Sequence, residues 1–373
     1  MYIVTNREMD FTKKGLAVFG KEPSGKGPLE VTLADVKFIR GAGRKKDKWS
    51  VTPVPDKLSR TTVANLAQKY KLDIDEKEDW HGSLKIACEL FATATDKKSP
   101  KSILFFVHGY NNDIEDVIKA AMAIEDLYGV MVVPISWPAN GGGVVSGTAA
   151  YKSDKADARV SSGAVNRIVA KIGLYHALLT KAQRKQLLTR ANRKHPDNPA
   201  AAKQYFTELQ EKACTTKLTL LCHSMGNYVF KHTLFTGDSQ TAKLVFDNVC
   251  LVAADTNNKN HREWVGKLDV RNRCYVVINE KDSALSASRI KPGEEQLARL
   301  GHYTKELNSP NAYYIDITGA AGVGSEHTYF KGDSVNENDE LRALFQKMFN
   351  GRVVESDLQY RADKNTYMMK NSS

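Results

Sequence analysis

At 373 residues the chain is long enough for one large α/β domain with additions or for two ordinary domains, each able to bury a full core. Lys and Arg (54) exceed Asp and Glu (43), for a net charge of +11, and no apolar run approaches the roughly 18 residues that cross a bilayer, which excludes a helical membrane span. Five widely spaced cysteines (Cys88, Cys214, Cys222, Cys250 and Cys274) include no C-x-x-C pair, so reduced thiols, no structural zinc and no bound metal or cofactor are expected.

The opening M-Y-I-V-T-N-R-E-M-D lacks the basic and apolar regions of a secretory signal, which makes a cytoplasmic protein the expectation. Residues 1–100 contain strand-like Y-I-V-T (Tyr2 to Thr5), L-A-V-F (Leu16 to Phe19) and L-E-V-T-L (Leu29 to Leu33). A basic loop from Arg40 to Lys48 follows, then helical T-T-V-A-N-L-A-Q-K-Y and S-L-K-I-A-C-E-L-F. This part is expected to add antiparallel strands to a sheet edge, with its helices as cover.

From Ser102 onward, short apolar strands alternate with helical patterns over a core spanning 101–351. This is the signature of an α/β fold with a mostly parallel central sheet and helices on both faces. The strands are I-L-F-F-V (Ile103 to Val107), V-M-V-V-P-I-S-W (Val130 to Trp137), L-T-L-L-C (Leu218 to Cys222), V-C-L-V-A-A (Val249 to Ala254), C-Y-V-V-I (Cys274 to Ile278) and Y-Y-I-D-I (Tyr313 to Ile317). Most run without polar alternation, as strands covered on both faces do. Between them, Ile114, Val117, Ile118, Ala121 and Ile124 share one helical face, and Leu341, Leu344, Phe345, Met348 and Phe349 share another.

The stretch of about 138–216 is too long for one crossover helix and reads as an inserted helical cap. It opens on Gly141 to Gly143 and carries an amphipathic run, Val160, Ala164, Ile168, Ile172 and Leu179. Within it, Lys181 to Lys203 holds seven basic residues against one acid, Asp197. The segment reads first as a solvated helical face and next as a contact for an anionic membrane surface or acidic partner. No aromatics interleave the charges as a nucleic-acid platform requires, so nucleic acid is not the expected partner. Residues 352–373 read as a C-terminal tail, and its end R-A-D-K-N-T-Y-M-M-K-N-S-S (Arg361 to Ser373) is expected to be poorly ordered.

Chemistry concentrates at L-T-L-L-C-H-S-M-G-N-Y-V-F, where an apolar strand ends on His223-Ser224-Met225-Gly226 and a helix begins. A G-x-S-x-G elbow presents its serine on a sharp strand-to-helix turn, and here Cys222 stands in the place of the first glycine. A thiol buried at a strand end is a poor nucleophile, so Cys222 is read as a small spacer and Ser224 as the nucleophile. The early strand I-L-F-F-V leads into His108-Gly109-Tyr110-Asn111-Asn112, the position of the second half of an oxyanion hole. The backbone N–H groups of Tyr110 and Met225 are its candidate donors, with His108 architectural. An acid follows the second strand after the serine at Asp282, with Asp255, one strand earlier, as the reserve. A histidine follows the last strand at His327, ahead of His302 and His261. That chain order of serine, acid and histidine makes His327 the general base and Asp282 its orienting carboxylate.

H-G-Y-N-N, I-S-W-P (Ile135 to Pro138), H-S-M-G-N (His223 to Asn227) and D-S-A-L (Asp282 to Leu285) resemble a family of uncharacterised, mainly bacterial α/β-hydrolases, whose members often open with T-N-R, as at Thr5-Asn6-Arg7. The resemblance covers roughly Ser102 to Phe330 and leaves the basic insertion unmatched. It implies the α/β-hydrolase fold and a Ser224, Asp282, His327 triad, and brings no known substrate. The expected activity is hydrolysis of a carboxylic ester or related acyl bond, esterase- or lipase-like. Phospholipase action is suggested by the basic, amphipathic cap, which would act as a lid in peripheral contact with a membrane. The alternative is a catalytically silent protein of the same fold that binds or assembles through its basic insertion.

Overall fold

Strands β6 (Ile103–Val107), β8 (Leu218–His223) and β9 (Asn248–Val252) are buried at every residue, and β7 (Met131–Ser136) and β10 (Arg273–Ile278) at all but their first. Strands apolar on both faces need a layer on each side, and a parallel sheet flanked by helices supplies it. The chain is seen in a computed structural model that describes residues 1–41, 48–139, 147–213, 216–236, 244–289 and 297–369. Among the described residues, the further strands β1 (Tyr2–Thr5), β4 (Thr32–Ile39), β5 (Lys48–Pro53), β11 (Ala312–Asp316), β12 (Gln359–Arg361) and β13 (Thr366–Met368) complete an 11-stranded sheet. Its order is β12-β13-β11-β10-β9-β8-β6-β7-β1-β4-β5, parallel from β13 to β1 and antiparallel at both edges. Two short strands, β2 (Arg7–Met9) and β3 (Phe19–Pro23), pair separately.

The chain leaves β6 toward β7 on one side, then returns to place β8 on the other. That reversal between neighbouring strands opens a crevice at their carboxyl ends, the usual ligand position in an open α/β sheet. Helix α3 (Ile114–Tyr128) begins with an Asp113–Asp116 capping box and ends on left-handed Gly129. All five residues of its expected stripe are buried. So are Leu341, Leu344, Phe345, Met348 and Phe349 of α10 (Asp339–Phe349), which pack into the main core with Leu104, Phe106 and Leu221.

The chain divides into two compact units. The first holds Met1–Pro53, Ser102–Val169 and Lys217–Ser373, and with them the whole sheet. The second holds Val54–Lys101 and Ala170–Thr216. Helices α1 (Arg60–Tyr70) and α2 (Gly82–Ala94), read from sequence as cover for the sheet, group instead with the second part of α4 (Gly147–Lys194) and with α5 (Pro199–Lys212). The physical reason is a separate core in which Leu66, Leu72, Leu84 and Cys88 meet Tyr175 and Leu179. In this unit Lys181 pairs with Asp73 at 2.9 Å, Lys194 lies 4.3 Å over the Tyr205 ring and Arg184 6.0 Å over Phe206. Aromatics absent between the charges in sequence are thus supplied by α5.

Further differences from the sequence reading have local causes. Leu16 to Phe19 is a 3-10 turn over Gly15–Val18 leading into β3, and the strand expected from Leu29 starts at Thr32, past the Gly27-Pro28 turn. The basic loop is followed by β5, which had no expectation, and its residues 42–47 lie outside the described residues, as do Gly141 to Gly143. Val160 is 45 % exposed, while Ala158, Ala164, Val165 and Ile168 form the buried face of the first part of α4. The tail is not without structure: Gln359–Arg361 and Thr366–Met368 form a hairpin against β11. Without it β11 would present a row of unpaired backbone groups.

Candidate active site

Ser224 sits between β8 and α6 (Gly226–Thr236) at φ +53°, a left-handed conformation that costs a non-glycine residue on the order of 1–3 kcal/mol. The surroundings hold it there. Asn227 Nδ2 donates to the carbonyls of Cys222, Ser224 and Val252 at 3.0, 3.1 and 3.2 Å, and the Ser224 N–H itself reaches Val252 O at 3.1 Å. A Cβ on Gly226 would lie 2.4 Å from Val107 O, so the turn closes onto the end of β6 only with glycine at this position. Cys222 is fully buried and burial raises its thiol well above the ordinary value, which removes it as a nucleophile.

The H-G-Y turn packs directly on the serine. A Cβ at Gly109 would come 2.8 Å from Ser224 Cβ and 3.3 Å from its Oγ. His108 is buried beneath this turn and stacks on Trp137 at 5.2 Å. Its Nδ1 donates to Gly109 O at 3.0 Å, which leaves Nε2 to accept from the Trp137 N–H at 3.2 Å, while Trp137 Nε1 donates to His108 O at 2.8 Å. Burial, with the nearby Arg7 charge, lowers its pKa to about 3, so the ring is neutral and architectural. Tyr110 O accepts from Asn112 Nδ2 at 2.7 Å, and Met225 is buried with no hydrogen bond from its backbone N–H among the described residues.

Asp282 lies four residues past β10 and is fully buried. Its Oδ1 caps α8 (Ser283–Ser288) by accepting from Leu285 N at 3.0 Å, and its Oδ2 accepts from His327 Nδ1 at 2.7 Å. The His327 side chain is 22 % exposed, and no described residue bonds its Nε2. His223 Nε2 donates to His327 O at 3.1 Å, which ties the histidine loop to the end of β8. Burial, and then the neighbouring His327 ring, hold His223 well below its ordinary pKa. A cavity of about 600 Å³ is lined by Ser224, His327, Tyr110 and Asp255, with Phe106 and Phe330 among its apolar walls.

Two buried histidines, His108 and His223, are neutral in the fold but protonate near 6.5 once unfolded. Between that value and the folded pKa the unfolded chain binds more protons, so their contribution is complete above about pH 6.5 and falls as pH drops below it, for His108 down to about 3. The loss is about 1.4 kcal/mol per pH unit for each ring. Urea unfolding from pH 7.5 to 4.5 should show this acid-side slope, and histidine NMR should leave both rings at neutral-imidazole shifts at pH 5. Rings that titrate near 6.5 in the folded protein would contradict it.

The reserve acid is engaged elsewhere. Asp255 is buried, and its Oδ1 accepts from Ser288 Oγ at 2.6 Å and pairs with Arg299 Nε at 3.1 Å, while its Oδ2 accepts from the Tyr151 hydroxyl at 3.0 Å. Neither is it the cap of α7 (Arg262–Val265), whose N-cap is His261. The structure therefore brings Ser224, Tyr110 and His327 to one crevice, with Asp282 buried behind His327 and Met225 buried next to Ser224 in the chain, and gives Asp255 to a separate wall of the same cavity. His302 and His261 are not at the crevice: His261 is spent on Asn258 O and Tyr314.

Sequence reasoning did not find that wall, because Tyr151, Ser288 and Arg299 share no spacing with Asp255. Thr5-Asn6-Arg7 likewise carries no sign of its role in the sequence. Arg7 is 3 % exposed and donates to Ser136 Oγ at 3.0 Å and to the carbonyls of Gly20, Asn112 and Ala139 at 3.2–3.3 Å. It fastens the end of the H-G-Y-N-N turn to the end of β7. Desolvation lowers its pKa to about 10, against the opposing field of Asp113, Asp154 and Asp157, so it stays charged.

Among the described residues no cluster of three or more His, Cys, Asp or Glu could hold a metal ion, and no helix is long and apolar enough to cross a membrane. The family model described as alpha/beta hydrolase of unknown function (DUF900) matches residues 86–178 and 192–325. The match takes in Ser224, Asp255 and Asp282, and ends two residues before His327. It also runs through most of the insertion that the motif resemblance left unmatched, omitting only 179–191. No curated protein and no solved structure matches the chain.

Proposed function

The chain belongs to the alpha/beta hydrolases of unknown function, and on that footing we propose that it is a serine hydrolase cleaving a carboxylic ester or related acyl bond through an acyl-enzyme. One observation carries the reading: a serine held at φ +53° shares a cavity with a histidine whose far nitrogen is bonded, at 2.7 Å, to a buried aspartate. In this mechanism His327 Nε2 accepts the Ser224 hydroxyl proton as Oγ bonds to the substrate carbonyl carbon. The carbonyl electron pair moves onto oxygen, where the N–H groups of Tyr110 and Met225 receive it. Collapse expels the alcohol, which leaves with the proton from His327. Water then adds to the acyl-enzyme by the same route, releasing the acid and restoring Ser224. Asp282 fixes the tautomer that leaves Nε2 basic and stabilises the imidazolium.

Phe106, Ala120, Leu285 and Phe330 on the cavity wall suit an acyl chain, and the volume is within the range of small-molecule sites. Those walls support esterase or lipase chemistry over peptidase chemistry. The basic residues from Lys181 to Lys203 are the proposed contact for an anionic membrane surface, if the substrate is a lipid ester. The test of the core reading is covalent capture. An alkyl fluorophosphonate is expected to add one phosphonyl group, displacing fluoride, with the adduct mapped by peptide mass to Ser224. No adduct, or an adduct on another residue, would overturn the proposal.

A further inference from the structure

The charged side chains that line the cavity are matched, with one exception. Lys119 pairs with Glu115 at 2.8 Å. Asp116 lies in the first turn of α3, where it accepts from the Asp113 N–H at 3.3 Å and the helix N-terminus favours its charge. Asp255 is neutralised by Arg299. Lys331 lines the same cavity, half-buried, with no carboxylate within salt-bridge distance among the described residues. It stands four residues after His327 on a turn closed by its own N–H donating to Thr328 O at 2.9 Å. That turn is anchored further by Phe330, whose carbonyl accepts from the Tyr128 hydroxyl at 2.6 Å. The ammonium is near enough to the crevice for its field to act on the buried His223 ring.

We propose that Lys331 is a specificity residue for an anionic group on the substrate, so that the preferred substrate is an acyl ester whose apolar chain ends in a carboxylate or phosphate. A partly buried ammonium gives up part of its hydration, which an anion replaces better than a neutral acceptor does, and this one lines a cavity whose other charged side chains are already paired or capped. An acyl chain seated against Phe106 and Phe330, with its carbonyl at Ser224, shares one cavity with that charge. The proposal rests on the serine-hydrolase reading and narrows it to a substrate class. Lysine acts here as a point charge without the bidentate geometry of arginine, so it accepts either anion.

The test compares second-order labelling rates of Ser224 by three fluorophosphonates of equal chain length, ending in a methyl, a carboxylate or a phosphate. The anionic probes are expected to label the wild-type protein about tenfold faster than the methyl probe, as one partly buried charge-assisted contact supports. The faster of the two identifies the anion. Lys331→Met should collapse the ratio to near one, and Lys331→Arg should retain most of it. Equal rates for all three probes in the wild-type protein, or a ratio that survives Lys331→Met, would overturn the anion site while leaving the nucleophile in place. Absence of labelling by every probe would instead remove the serine-hydrolase reading on which it stands.

Discussion

Ser224→Ala is expected to lower kcat for a short-chain 4-nitrophenyl ester by about 10⁶-fold, the scale on which removing the nucleophile of a serine triad acts. The change deletes one oxygen that makes no hydrogen bond to a described residue, so no buried partner loses its bond. It also leaves alanine in the same left-handed turn, held by the same three carbonyl contacts from Asn227. The melting temperature should therefore move little while turnover falls to the level that binding and the oxyanion donors sustain. A variant that keeps more than about a hundredth of wild-type kcat would mean that another group attacks, because residual binding and oxyanion stabilisation cannot supply that fraction.

Asp282→Asn is expected to cost about 10⁴-fold in kcat with KM changed far less, because the amide donates where the carboxylate accepted and so reverses the histidine tautomer. Nδ1 of His327 would then have to accept from the introduced amide, and the hydrogen would move to Nε2, the nitrogen that must take the serine proton. The N-cap of α8 survives, since an asparagine oxygen caps nearly as well as an aspartate. Asp255→Asn is the comparison. It leaves the His327–Asp282 contact intact but strips the buried Arg299 of its carboxylate, a loss on the order of 3–5 kcal/mol in stability. The first variant should thus fail in turnover and the second in melting temperature. The reverse pattern would transfer the acid role to Asp255.

Much of the sheet was legible because strands buried on both faces write themselves as unbroken apolar runs, and β6 to β11 fall within a residue or two of those runs. The edges were harder. Edge strands are half-exposed and short, so L-E-V-T-L was placed three residues early, β5 had no signal, and the tail hairpin was taken for loose chain although Thr366 is fully buried. The grouping of α1 and α2 was illegible for another reason. Their stripes show that they bury a face, yet the partner, Tyr175 and Leu179, lies some hundred residues away along α4.

For the site, the sequence by itself determined the order and the turn chemistry: an apolar strand into H-S-M-G, another into H-G-Y, then Asp282 and His327 after later strands. Backbone rules are local, and a glycine whose Cβ would lie 2.4 Å from a carbonyl, or a serine that must stand clear of its strand, leaves a mark in residue type. Only the tertiary structure gave the two carboxylates different partners. Asp282 and Asp255 follow neighbouring strands and look alike in sequence, but Asp282 meets His327 while Asp255 is consumed by Arg299, Ser288 and Tyr151. The same holds for Arg7 and Lys331, one matched by four acceptors drawn from separate segments of the chain and the other by no described carboxylate. Charge is written in the sequence, but whether a charge is satisfied depends on which distant groups the fold brings within about 4 Å of it.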